Sequence, residues 1–160
     1  MIARELYEQF SATLKPDSTE MTTQTESKLK RILGSVGAVV AGLFATIVLS
    51  ISSDLLMHAT SIYPPWGEPM SDAQFSLATI YRSIFGVLGG YITARLAAFQ
   101  PMEHALALGL IGFVLAIIGT VATWNGGPEY GRKWYPISLI LVAIPSAWLG
   151  GKLQARRANK

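Results

Sequence analysis

Residues 79–99 read TIYRSIFGVLGGYITARLAAF, an apolar run that is interrupted by two arginines. The run is long enough for a membrane-spanning helix, which needs about 20 predominantly apolar residues. Arg95 falls near one end of the run, where a cation can reach the membrane interface. Arg82 lies thirteen residues earlier, about 20 Å away along a helix. The sequence therefore predicts a permanent cation within a membrane span.

Three further apolar stretches accompany this one along the chain. Together they predict four spans at about 32–53, 75–98, 102–124 and 134–151. Charged residues make up 14% of the 160 residues, against about 25% in a typical soluble domain. A soluble bundle would need a polar face on each helix, and spans one, three and four have none. We therefore predict an all-α polytopic membrane protein, a four-transmembrane-helix bundle with short loops.

Polar segments flank the predicted transmembrane domain, residues 32–153. Residues 1–31 form a polar N-terminal tail in this interpretation, and residues 154–160 form a basic C-terminal tail. The apolar spacing within residues 2–14 fits a short amphipathic helix, with a solvated tail as the alternative. Residues 16–27 are rich in Ser and Thr and predict a linker. The chain contains no cysteine, which excludes disulfides and thiolate chemistry.

The distribution of Lys and Arg predicts the orientation of the spans. Ten of these cations lie on one side of the predicted spans, and only Arg132 and Lys133 lie on the other. The positive-inside rule then places both termini in the cytoplasm. Aromatic residues cluster at the predicted outer boundary, as interfacial residues do: Tyr63, Trp66, Trp124, Tyr130, Trp134 and Tyr135.

The stretch GGYITARL, residues 89–96, resembles small four-span membrane proteins of bacteria. The resemblance covers span two only and implies no particular activity. With the four predicted spans, it leads us to expect a multi-pass protein of a bacterial inner (cytoplasmic) membrane.

Small residues recur at helical spacing and indicate where helices pack. Such small-xxx-small patterns let two helix backbones approach closely in a membrane. Spans one and two are joined by a short loop and should be antiparallel, so we expect their small-residue stripes to face each other. The predicted helix-packing residues of spans one to three are Ala38, Gly42, Gly86, Gly90, Ala94, Gly109, Gly112 and Ala116.

The same stripes bring three ionisable residues towards one another. Asp54 and His58 end the stripe of span one, and Arg82 belongs to the stripe of span two. A lone arginine in a span costs about 2.5–3.5 kcal/mol on insertion scales, and a bidentate carboxylate would offset much of that. These three residues form the candidate polar centre, with His58 as its third, titratable member. In the alternative, Asp54 and Arg82 are solvated independently and the arginine snorkels to the interface.

The sequence offers little support for cofactor or nucleic-acid chemistry. Asp54 and His58 have a spacing that suits two metal ligands, but zinc sites need three or four. We therefore predict no metal site, and no cofactor. The basic residues flank the spans and form no continuous face, so nucleic acid is excluded as a partner.

Three functions remain, and they differ in what the polar centre does. The first, which the sequence favours because few polar groups lie deep in spans three and four, is a non-enzymatic accessory, assembly or scaffold subunit that packs within the lipid bilayer against itself as a homo-oligomer or against a membrane-protein partner. The second is a small transporter or channel with an external polar vestibule formed by Asp54, His58 and Arg82. The third and weakest is a membrane-embedded enzyme. A buried, water-lined cavity that reaches the bilayer midplane would favour the second function, and a flat small-residue surface would favour the first.

Overall fold

A computed structural model describes Arg4, Tyr7 and residues 18–127 and 130–158 of the chain. Its four long helices are α1 (Ser18–Ala59), α2 (Asp72–Leu96), α3 (Pro101–Thr123) and α4 (Trp134–Ala158). All four are long and apolar enough to cross a membrane. The chain divides into two compact units, residues 1–33 and residues 34–160. The packing and the sites described below belong to the second unit.

The helices extend beyond two of the predicted spans. The predicted linker 16–27 is helical over its described part, because α1 begins at Ser18. No glycine or proline occurs between residue 18 and residue 33, and a helix that is already formed extends at little further cost. The described part of the basic tail 154–160 is likewise helical, as the end of α4. The amphipathic helix considered for residues 2–14 lies almost wholly outside the described residues.

Small residues occupy the interior of the second unit, whereas large apolar side chains lie on its surface. Phe44, Ile80, Leu110 and Leu141 are all more than half exposed. In water such a surface would drive association, but lipid chains cover it without penalty. This distribution is typical of a helical membrane protein. The most deeply buried alanines are Ala38, Ala78, Ala94, Ala105 and Ala147.

The contact between α1 and α2 runs through Gly42 and Thr46 of α1. The Thr46 hydroxyl lies 2.9 Å from the Gly42 carbonyl oxygen of its own helix and 3.3 Å from the Phe85 carbonyl oxygen of α2, and it can donate to either. A Cβ added to Gly42 would lie 2.6 Å from the carbonyl oxygen of Gly89, so only glycine permits this approach. Thr93 lies against the same glycine and is fully buried.

The stripe of Gly86 and Gly90 faces α4, which corrects the expectation that it would face α1. A Cβ on Gly86 would lie 2.9 Å from the Ser146 Cβ, and one on Gly90 would lie 2.8 Å from the Ala147 Cα. Successive residues point about 100° apart around a helix. Because α2 has a neighbour on two sides, adjacent stripes of the same helix serve different partners.

The small residues of α3 pack closely against α4 at one level and are open at the next. A Cβ on Gly109 would lie 2.9 Å from the Ala147 Cβ of α4, whereas one on Gly112 would lie 4.0 Å from the Ala143 Cβ. One turn further on, Ala116 lines two cavities. The helices therefore meet closely at the Gly109 level and separate towards the end of α3.

Candidate functional site

An ion pair joins α1 to α2 near the end of the bundle formed by loops 60–71 and 124–133. Arg82 Nη2 lies 2.6 Å from Asp54 Oδ2, and the two side chains are 33% and 22% exposed. The Tyr81 hydroxyl donates to the other carboxylate oxygen of Asp54. Each oxygen of Asp54 therefore accepts one hydrogen bond, and the arginine contact is monodentate, where a bidentate one had been considered.

The register of α1 on α2 explains why the pair meets. Thr46 of α1 lies opposite Phe85 of α2. Asp54 follows Thr46 by eight residues, about two turns along α1 and about 80° further around it. Arg82 precedes Phe85 by three residues, which leads in the same direction because the helices are antiparallel. The long arginine side chain covers the remaining separation.

Two tyrosines extend the ion pair into a hydrogen-bonded chain. The Tyr63 hydroxyl lies 3.4 Å from the Tyr81 hydroxyl and 3.3 Å from the Gln74 carbonyl oxygen, and it can donate to either. Tyr63 is only 3% exposed. Burial raises the pKa of Tyr63 above its ordinary value, because the charged phenolate would lose its solvation. Tyr63 is therefore a protonated donor at neutral pH.

His58 contacts the loop and forms no hydrogen bond with either partner of the ion pair. Its Nδ1 lies 2.7 Å from the Pro64 carbonyl oxygen, and because a carbonyl only accepts, Nδ1 carries the proton. The imidazole stacks on Trp66 with 3.8 Å between ring centroids, and it meets Tyr63 edge-on. The expected three-residue centre is thus a two-residue ion pair with a histidine one turn further along α1.

The ion pair borders a cavity of about 500 Å³, which we call the aromatic cavity. Asp54, Arg82 and His58 all line it, so the three predicted residues share one space. Its aromatic lining consists of the rings of His58, Tyr63, Trp66, Phe75, Tyr130 and Tyr135.

A second cavity of about 200 Å³ lies beside the middle of the helices, and we call it the mid-helix cavity. Its lining includes Thr46, Gly86, Gly112 and Ser146. Arg82 belongs to the lining of both cavities. Ala116 of α3 and Leu139 of α4 are also common to both linings, so the two cavities are neighbours.

Side-chain contacts hold the first loop at the mouth of the aromatic cavity. Ser71 caps α2 in a capping box with Gln74, whose side-chain oxygen accepts from the Ser71 backbone N–H at 2.8 Å. The Gln74 side-chain amide donates to the Ile62 carbonyl oxygen at 2.5 Å. These bonds tie the loop that carries Tyr63 to the start of α2.

The second loop is held to the start of α2 in a similar way. Asp72 accepts from Trp134 Nε1 at 3.0 Å and pairs with Arg132 at 3.1 Å. Gly131 has φ +83°, and a Cβ there would lie 2.5 Å from the Phe75 Cζ. Only glycine suits this position, because the left-handed backbone and the ring contact both exclude a side chain.

The tyrosines of the site were not predicted as site residues. Tyr63, Trp66 and Tyr135 were interpreted as interfacial aromatics, and Tyr81 was not singled out. A tyrosine within an apolar helix needs a partner for its hydroxyl when it is buried. Tyr81 directly precedes the one arginine deep in a predicted span, and that position is the signal that could have identified it.

No metal-binding cluster occurs among residues 4, 7, 18–127 and 130–158, where no three His, Cys, Asp or Glu residues come together. Asp72, an acid at the same end of the helices, contacts Arg132 and Trp134. The arrangement suits a different task, which is to bind and orient polar groups beside aromatic rings.

We expect Tyr81→Phe to lower the free energy of unfolding by about 1.5–3 kcal/mol, the usual contribution of a hydrogen bond to a charged group. The substitution removes only the hydroxyl that donates to Asp54. Tyr91→Phe is the matched control, because the Tyr91 hydroxyl accepts from Arg157 at an exposed position. Unfolding by SDS titration measures both variants, and equal losses would contradict the assigned role of Tyr81.

No protein-family model matches this chain, and no curated protein or solved structure matches it either. Its function has to be argued from the chemistry of its own cavities.

Proposed function

We propose that this protein is a small multi-pass membrane protein of the transporter or channel class, with the aromatic cavity as its solute-binding vestibule. The observation that carries the proposal is the position of Arg82, which lines both the aromatic and the mid-helix cavity. An ionisable residue within a membrane span marks a solute or ion pathway in many membrane proteins. The sequence favoured an accessory subunit, and these consecutive cavities favour the alternative instead.

The charge distribution supports an outward-facing vestibule. Loops 60–71 and 124–133, which surround the mouth of the aromatic cavity, contain only two of the chain's thirteen Lys and Arg residues. By the positive-inside rule these loops lie outside, and both termini lie in the cytoplasm. Solute would enter from the external side between Trp66 and Tyr130, which are 69% and 50% exposed.

Close helix packing supports a closed cytoplasmic end. Ala147 of α4 and Gly109 of α3 line the mid-helix cavity, and Ala147 lies directly against both Gly109 and Gly90 of α2. These contacts leave no room even for a methyl group at either glycine. In the proposed function this structure is therefore the outward-open state, and passage of a solute requires α4 to move away from α2 and α3.

Cysteine accessibility tests the vestibule, and the chain offers no background because it contains no cysteine. We expect Ala116→Cys, which lines both cavities, to react rapidly with a charged, membrane-impermeant thiosulfonate that is added outside intact cells. The reagent needs water and a thiolate. Ile118→Cys is the control, because Ile118 is 58% exposed on the same helix, nearer the loop. Equal reactivity of both variants would overturn the vestibule.

A second candidate function, lateral association as an accessory subunit, is favoured by one surface of α1. A Cβ added to Gly34 or Gly37 would meet no neighbouring atom of the described residues within 4 Å. Such open glycines permit close approach of another helix. Native mass analysis in detergent distinguishes this function. A stable oligomer or complex that Gly37→Leu disrupts would support it, and a monomer in both forms would count against it.

A further inference from the structure

We propose that the solute of the aromatic cavity is a small zwitterion that carries a quaternary ammonium and an oxyanion, as betaine-type solutes do. The inference rests on the proposed function and specifies the ligand class of the same cavity. It follows from the charges of the lining, the unused hydrogen-bonding groups of Arg82 and the aromatic rings around Asp54.

Among the described residues, the charges of the lining sum to zero when His58 is neutral, because Asp54 and Arg82 are the one carboxylate and the one guanidinium there. A cation or an anion would add an uncompensated charge to a poorly solvated space, which is unfavourable. A zwitterion adds no net charge, and each of its ends finds an opposite charge in the lining. The ion pair thus selects a dipolar ligand with two opposite charges.

Arg82 has donors to spare for the anionic end. The Arg82 guanidinium donates from Nη2 to Asp54, although it can donate five hydrogen bonds. Its Nε is buried without a hydrogen-bond partner, so the hydrogen-bonding capacity of the group is far from filled. Because Arg82 lines the cavity, an oxyanion there can accept from the remaining terminal N–H groups without displacing Asp54.

The aromatic rings and Asp54 suit the cationic end. Trp66 stacks on His58 at 3.8 Å between ring centroids, and Phe75 packs against Tyr135 at 4.7 Å. Ring faces attract quaternary ammonium groups, and aromatic cages are the common way in which proteins recognise them. A methylated ammonium needs no hydrogen-bond donor or acceptor, so the apolar part of the lining accommodates its methyl groups. A volume of about 500 Å³ is within the usual range for small-molecule sites.

The same zwitterionic chemistry has two sources, a free betaine-type solute and a phosphocholine headgroup. The protein in nanodiscs of phosphatidylglycerol, which lack both, is therefore titrated by calorimetry in separate arms with glycine betaine and with glycerophosphocholine. Two isosteres complete the set: 3,3-dimethylbutyrate keeps the carboxylate and loses the cation, and choline keeps the cation and loses the carboxylate.

We expect at least one zwitterion to bind on the order of tenfold more tightly than both isosteres, a difference that calorimetry resolves. The arm that binds more tightly identifies the source. Binding of either isostere as tight as that of both zwitterions would overturn the inference, and so would the failure of both zwitterions to bind at millimolar concentration.

A pair of tryptophan variants tests whether the binding is in the aromatic cavity. Trp66 lines the cavity and is 69% exposed, so we expect Trp66→Leu to fold and to lose on the order of tenfold in zwitterion affinity. Trp148→Leu is the control, because Trp148 is 42% exposed and does not line the cavity. Equal affinity in the two variants would overturn the assignment.

Different results would contradict the proposed vestibule and the proposed ligand class. Rapid labelling of Ala116→Cys without a preference for zwitterions would leave the vestibule in place and remove the ligand class. Labelling of Ala116→Cys no faster than that of Ile118→Cys would remove the vestibule itself.

Discussion

Asp54→Asn is expected to destabilise the protein by about 3 kcal/mol, at the lower end of the range for breaking a buried ion pair. The carboxylate is the single acid within 4 Å of the Arg82 guanidinium among the described residues. A guanidinium cannot lose its proton in a protein, so the variant retains an uncompensated cation between the helices. The partial exposure of the pair places the loss at the lower end of the range.

Arg82→Gln is expected to cost less than Asp54→Asn. A carboxyl group that has lost its counter-ion can take up a proton and become neutral. The remaining Asp54 would also keep its hydrogen bond from Tyr81. The difference between the two single variants is therefore a direct sign that the arginine, and not the acid, is the residue that needs a partner.

The double variant Asp54→Asn with Arg82→Gln should recover part of the loss, with a coupling energy of about 0.5–3 kcal/mol. Unfolding by SDS titration of the four proteins completes the cycle. The matched control is the pair of Asp72 and Arg132, whose side chains are 50% and 77% exposed. Exposed pairs contribute about 0–1 kcal/mol. Strictly additive losses at Asp54 and Arg82 would mean that the two residues do not interact.

Gly90→Leu is expected to lower the free energy of unfolding by at least about 1–3 kcal/mol, the usual cost of overpacking. Even the Cβ of a side chain at this position would lie 2.8 Å from the Ala147 Cα and closer still to the Ala147 carbonyl oxygen. Both neighbours are backbone atoms, so α4 as a whole has to move. The same movement would open the close contact that we propose as the cytoplasmic seal.

Gly34→Leu is the matched control for this experiment, because it makes the same chemical change where the added Cβ meets no neighbouring atom of the described residues. Leucine ranks close to alanine in helix propensity, whereas glycine is about 0.8–1.0 kcal/mol less favourable than alanine within a helix. We therefore expect Gly34→Leu to be neutral or slightly stabilising. Equal thermal stability of the two variants in detergent would contradict the close packing of Gly90 on α4.

The four apolar helices could be predicted from the spacing of residues along one helix. The meeting of Asp54 with Arg82 could be predicted too, although the expected packing was wrong: the Gly86 and Gly90 stripe of α2 faces α4, and the long Arg82 side chain still reaches Asp54 of α1. The stripe of four-residue steps from Gly42 through Thr46 leads to Asp54, although each step turns it about 40° around the helix. A short loop makes the next helix antiparallel, and an arginine among apolar residues needs an acid nearby. Each of these inferences needs only residues that are near one another in sequence, or the short loop that joins α1 to α2.

The partner of His58 could not be predicted in this way, because a loop carbonyl competed with the ion pair. The imidazole bonds to the Pro64 carbonyl oxygen, and the position of that atom depends on how residues 60–71 fold back on the end of α1. A loop has no periodicity from which the direction of a carbonyl group could be read.

The sequence by itself determined which residues share a helix face and which face is small, apolar or charged, because these properties follow from a period of 3.6 residues per turn. Only the tertiary structure decided what each small residue does. Gly90 closes a contact with α4, and Gly109, which also lines the mid-helix cavity, packs on the same helix. Gly112, one turn along α3, lines that cavity without such a close contact. A glycine permits either a close helix contact or an open cavity wall. The distance between the two helix axes decides which one forms, and that distance depends on all the contacts between the helices.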